Sequence, residues 1–189
     1  NAISFLQVQD GILNSAGKII DRMAELKALS QDVLKNDSDI ANYNAEFKNL
    51  QSQLYQMSET TFNGVSLFGN HTTATGSTQA LFGGGASTDN TVSIFTSATG
   101  ESGSKVSINK SMLLSALTID ASDANLASAK FEDKGVGGVK SFAASVSSAA
   151  IELGDISVAV FTQALENIAT LRAENGGSVS RLQFSKESA

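Results

Sequence analysis

The chain has 189 residues, with 13 Lys and Arg against 19 Asp and Glu and a formal charge of −6. Such an acid excess lacks the electrostatic footprint by which proteins hold nucleic acid or an anionic membrane surface. The absence of Cys excludes disulfides, thiolate metal sites and a catalytic thiol, and the absence of Pro permits long uninterrupted helices.

No apolar run approaches the roughly 20 residues that span a bilayer, and no basic start with an apolar core marks a signal peptide. Asn1 already falls inside a helical pattern, so the expectation is a piece of a longer chain. From Phe5 the apolar positions run Phe5, Val8, Ile12, Ala16, Ile19, Met23, Leu26 and Val33, with Ser30 as the one polar step. Intervals alternating three and four are the seam of a coiled coil, a narrow stripe that another helix must cover. Lys18, Asp21, Arg22, Glu25 and Lys27 put charge on the opposite face. The pattern stops at Lys35-Asn36-Asp37-Ser38, where Asp37 and Ser38 are the candidate N-caps of a second helix. That helix carries its own stripe, Ile40, Tyr43, Phe47, Leu50, Leu54 and Met57, and the short connection makes the two helices antiparallel neighbours. It closes on Asn63-Gly64, a tight-turn signal.

Between about Val65 and Ser128 the chain turns rich in Gly, Ser, Thr and Asn. Thr91 to Thr96 and Lys105 to Asn109 alternate in the manner of strands, which predicts a β-hairpin with a longer loop. His71 to Asn90, including Gly83-Gly84-Gly85, reads as loop. Val139 to Leu153 is Ala/Ser-rich and admits either helix or extended chain. Helical spacing returns from about Ile156 through Val160, Ala164, Ile168, Leu171, Val179 and Leu182, interrupted by Gly176-Gly177. The expected fold is mainly α with a small β lobe. It is an elongated antiparallel rod of two N-terminal helices plus a C-terminal helix, divided at 1–64, 65–135 and 136–189.

Enzyme chemistry finds no foothold. His71 has no second His or Cys to share a metal with it. Asp120, Asp123, Glu132 and Asp133 could pair as glycosidase carboxylates, but no aromatic platform accompanies them. Gly83 to Gly85 lack the Lys-Ser or Lys-Thr of a phosphate loop. No nucleophile, base and orienter assemble with a credible spacing, and no cofactor is implied.

The segment from Asn14 to Leu34, followed by Ser38-Asp39-Ile40 and closing on Thr61-Phe62-Asn63-Gly64-Val65, resembles the N-terminal half of the bacterial flagellin core. Ala164 to Arg172, with Arg181-Leu182 following, is similar to the C-terminal core helix of that family. The likeness covers roughly the first 68 residues and the last 35 or so. It implies a secreted structural subunit of the flagellar filament, exported through the flagellar apparatus, handled by an export chaperone and the filament cap, and polymerising with its own copies for motility. Flagellin's outermost domain is a coiled coil of both chain ends, which the resemblance implies are missing here, so the chain as it stands is not expected to polymerise. The resemblance also leaves two relatives open, a hook–filament junction protein and a cell-surface flagellin homologue that binds carbohydrate. For the latter the loop offers only Phe82 and Phe95 as aromatic surfaces.

In the flagellin family the surface around the first core helix faces the neighbouring subunit, and a vertebrate Toll-like receptor recognises monomers there. By resemblance, that receptor's Arg, Leu and Glu contacts fall on Arg22, Leu26 and Glu46, with Glu25 on the same stretch. Asp21 stands where the family motif has Gln, which puts a charge at the contact. The plainer alternatives are that Arg22 and Glu25 solubilise a helix face and that Leu26, which lies on the stripe, is structural.

Overall fold

The computed structural model describes residues 2–62, 65–68, 91–95, 105–109, 113–117, 119–120, 139–140, 142–143, 145–147 and 150–188. Three long helices dominate them. α1 spans Ala2–Ser30, α2 spans Asp37–Ser58 and α4 spans Val158–Ser188. A four-residue α3, Leu113–Ala116, and a 3-10 turn, Leu153–Asp155, are short connectors.

α1 holds 29 residues, which at 1.5 Å per residue makes a rod about 43 Å long. Its partners descend along α4 as the α1 numbering rises. Asn175 reaches Leu6, Arg172 reaches Asp10, and Ile168 lies against Gly17. Lys27 then meets Leu153, just before α4 begins. The two helices are therefore antiparallel over most of their length. α2 folds back along α1, so that Arg22 meets Glu46 while Gln9 meets Leu67 beyond the end of α2.

The stripe that α1 buries is phased differently from the one its apolar residues suggest. The enclosed positions are Leu6, Gln9, Leu13, Ala16, Ile20, Met23 and Lys27, flanked by Phe5, Ile19 and Leu26. That set steps three and four without a break, but it contains two polar members that a search for apolar residues skips. Val8, placed on the stripe by sequence, is partly exposed, and Val33 is 94% exposed. Val33 is lost because α1 stops at Ser30. Ser30 Oγ donates to Lys27 O, and the Asp32 carboxylate accepts from Leu34 N, which turns the chain before another helical step can form.

α2 begins one residue earlier than expected. Asn36, not Asp37 or Ser38, is its N-cap, and it makes a reciprocal capping box with Asp39. At the other end Glu59 N donates to Gln56 O and Thr60 N to Met57 O. Within α2, Phe47, Gln51, Leu54 and Ser58 are buried, with Tyr43, Leu50 and Met57 packed beside them, while Ile40 is exposed.

Past α2, β1 (Thr61–Phe62) pairs antiparallel with β2 (Val65–Ser66), with Asn63-Gly64 between the partners Phe62 and Val65. β3 (Thr91–Phe95) pairs antiparallel with β4 (Lys105–Asn109) in the register Thr91 to Asn109 and Phe95 to Lys105. β5 (Ile119–Asp120) pairs with β6 (Val139–Lys140). His71, Phe82, Gly83 to Gly85, Asp123, Glu132 and Asp133 lie outside the described residues, as does most of the expected β lobe. The ambiguous Val139 to Leu153 stretch opens as strand β6 and holds no helix among its described residues before the 3-10 turn.

One core joins these pieces. Met23, Leu26, Phe47, Phe68, Leu113, Leu117, Phe142, Ile151, Phe161, Ile168 and Leu171 belong to it, each 3% exposed or less. Phe47 makes edge-to-face ring contacts to Phe142 at 6.4 Å and to Phe161 at 6.0 Å between ring centres. Fully burying one Leu, Met or Phe side chain contributes about 1.5–3 kcal/mol, so this cluster is the main source of stability. Gly176 and Gly177 lie inside α4 with open space beside them.

Candidate subunit-contact face

Arg22 projects from the middle of α1 and is held from two sides. Its Nε and Nη2 grip the two Glu46 carboxylate oxygens at 2.5 and 3.0 Å, and Nη1 reaches Glu25 one turn along at 2.7 Å. A guanidinium matches a carboxylate in this two-point manner, which fixes direction as well as distance. The hydrogen bond from Arg22 holds the Glu46 carboxyl below the usual glutamate range, and Glu46 in turn raises the guanidinium. All three side chains keep 39% exposure or more, so the cluster faces solvent. Asp21 is exposed beside it.

Leu26 stands apart from that group. It is 0% exposed and part of the core, so it offers no surface to a partner while the helices are packed. Of the four residues singled out by sequence, the structure brings Arg22, Glu25 and Glu46 together and sends Leu26 inward.

Two further charged groups decorate the bundle. Arg172 of α4 grips both oxygens of Asp10 at 3.0 and 3.2 Å and reaches Asn14 at 3.3 Å. Lys48 pairs with Glu152 at 2.7 Å, and Asn44 donates to the other Glu152 oxygen. Lys48 and then Asn44 hold the Glu152 carboxyl below its ordinary range.

Sequence reading missed the buried amides. Gln51, enclosed on α2, donates to Ile151 O at 2.7 Å and accepts from Ile151 N and Ala143 N. Asn44 accepts from Leu153 N at 2.8 Å. Gln9 donates to Leu67 O at 2.5 Å, Asn167 to Ala116 O at 2.7 Å, and Asn175 to Leu6 O at 2.9 Å. All of these bonds except that of Asn175 tie a long helix to a non-helical or short connecting segment whose backbone groups would otherwise be buried unpaired. The available signal was a polar residue at a stripe position: Gln9 follows Leu6 by three, and Gln51 follows Phe47 by four.

Among the described residues no cluster of His, Cys, Asp and Glu could hold a metal, and no helix is long and apolar enough to cross a membrane. Residues 1–73 match the family model of the bacterial flagellin N-terminal helical region. A crystal structure of Bacillus cereus flagellin superimposes with a TM-score of 0.60 at 18% identity, covering 100% of this chain and 85% of that one. No curated protein sequence matches the chain. At that identity the superposition speaks for the fold, while the family model speaks for the sequence of α1 and α2. The first 73 residues are thus similar in sequence to the N-terminal helical region of bacterial flagellins, and the chain shares its fold with a flagellin.

Proposed function

We propose that the chain is the core of a filament subunit that assembles with its own copies outside the cell to drive swimming, with its segments divided at 1–64, 65–135 and 136–189. The observation that carries this reading is the antiparallel seating of α1 on α4, from Asn175–Leu6 to Lys27–Leu153. It brings the beginning and end of the chain side by side in one stiff rod. A subunit that must transmit torque needs such a rod, and a contact that does not close on itself turns rods into a helical polymer.

Arg22, Glu25 and Glu46 are the proposed contact face toward a neighbouring copy, and toward a Toll-like receptor where one meets the free subunit. Leu26 supports that face from beneath. Export through the flagellar apparatus, with an export chaperone and the filament cap as partners, completes the reading. The test is to graft this chain in place of the matching core of the Bacillus cereus flagellin, leaving that protein's own terminal segments, and to image the product by electron microscopy. Filaments are the expected result. A folded, monomeric graft under conditions where the parent polymerises would overturn the reading.

A further inference from the structure

Among the described residues, Asn175 Oδ1 is the buried side-chain oxygen that finds no hydrogen-bond partner. Asn175 is 5% exposed, and its Nδ2 donates to Leu6 O at 2.9 Å, which fastens α4 to the first turns of α1. The next two residues are Gly176 and Gly177, both exposed, and nothing lies within 4 Å of where a Cβ would stand on either. The backbone that follows Asn175 therefore gains no side-chain packing, in the residue type that is poorest at keeping a helix short of proline.

Asparagine is among the chemically labile side chains, and it is most labile before glycine. Where the backbone can leave the helical torsion, the glycine nitrogen reaches the side-chain carbonyl carbon, Cγ, with no following side chain in its way. Inside α4 (Val158–Ser188) the Gly176 nitrogen lies in the helical ladder, its hydrogen directed to the carbonyl four residues earlier. The helical torsion also holds it out of line for attack. The closed helix protects the Asn175 amide, and the two glycines are where that protection is weakest.

We propose that Asn175 is a self-modification site: local opening of α4 at Gly176-Gly177 lets the Gly176 nitrogen convert the Asn175 amide to an acid, and the new carboxylate keeps the Asn175–Leu6 fastening from reforming. The bond from Gly176 N to Asn175 Cγ forms, the bond from Cγ to Nδ2 breaks, and Nδ2 leaves as ammonia with the proton that Gly176 N gives up. Water then opens the cyclic imide at either carbonyl, giving aspartate or its isomer linked through the side chain, with no change of oxidation state. The carboxylate has no N–H to give Leu6 O, and the position of Oδ1 already lacks a donor. A buried charge without partners is costly, so the group moves to water and the end of the rod stays open. The change requires water and no second protein, and it stands whether or not the chain forms filaments.

The test incubates the intact chain in mildly alkaline buffer, folded or unfolded in urea, and follows the amide-to-acid mass change in the tryptic peptide 173–181. That peptide excludes the other Asn-Gly pair, Asn63-Gly64. Conversion in the folded chain is expected to be slower than in urea, yet faster than the globally unfolded fraction alone would give, with that fraction taken from urea denaturation. Gly177→Ala is expected to slow the folded chain roughly fivefold, the scale of the Gly-to-Ala difference in a helix, and to leave the rate in urea unchanged. Amide exchange around Leu6 and Asn175 is expected to quicken in Asn175→Asp, and the converted fraction of the parent chain serves where that variant does not fold. Conversion no faster than global unfolding predicts, a folded-state rate in Gly177→Ala equal to the parent's, or a converted chain with unchanged exchange would each overturn the proposal.

Discussion

The two sides of α1 are held by different physics. Toward the Phe47 cluster and α4 it buries Leu13, Ile20, Met23 and Leu26 completely, with amides such as Gln9 bonded inside the seam. At its solvated edge it also meets α2 through Arg22 and Glu46, which water and salt can reach. Buried apolar area and enclosed hydrogen bonds cannot be exchanged for water without loss, whereas an exposed ion pair is close to neutral against its hydrated alternatives. The interior therefore fixes the bundle, and the charged face adds little to its stability.

The sharpest way to break that contrast is to empty the centre of the core. Phe47→Ala removes a ring enclosed by Phe142 and Phe161 and is expected to destabilise the chain by about 3–5 kcal/mol, read as a lower midpoint in urea denaturation. Next comes Gln51→Ala. It leaves Ile151 N and O without their buried partner and releases Ala143 N, at about 1–3 kcal/mol for each group left unpaired. Amide exchange at Ala143 and Ile151 should quicken more than in α1, because Gln51 holds three backbone groups of these two residues. If exchange rises uniformly instead, the amide does not act as a local clip.

These two variants also mark what the sequence disclosed and what it hid. The helices and their order were legible because periodicity is a local property. The stripe of α1 was read one position off near its start because Gln9 is polar, and only the backbone carbonyl of Leu67, remote in sequence, makes its burial tolerable. The same holds for Lys27 and the distant Leu153 O. Ionic pairing of Arg22 with Glu46 likewise depends on how α2 folds back, which no spacing within α1 records. Leu26 shows the opposite case: its stripe position announced a core role, and the enclosure it has in the structure agrees with that alternative.

A gain of stability sharpens the comparison from the other direction. Gly176 and Gly177 sit inside α4 with nothing near the space a Cβ would take. Ala at either is expected to stabilise the isolated chain by up to about 1 kcal/mol, since Gly is that much poorer than Ala in a helix. The measurement is the thermal midpoint. No gain would mean that the helix at this point is already held by contacts stronger than its own propensity.

The smallest effect belongs to the exposed pair. Arg22 holds the Glu46 carboxyl below the ordinary range, so between the folded and unfolded values the folded chain binds fewer protons than the unfolded one. The pair's contribution is therefore complete above the unfolded glutamate pKa of about 4.3 and is lost as pH falls through the lower folded value. Glu46→Gln should flatten that acid limb slightly and change the midpoint at neutral pH less than any variant above, because the pair is well exposed to solvent. High salt should mimic the substitution. Were Glu46→Gln to cost as much as Gln51→Ala, the charged face would be a structural joint and the division of labour between the two sides of α1 would fail. Were it to leave stability unchanged but abolish polymerisation of the grafted flagellin, the pair would be assigned to the contact between copies.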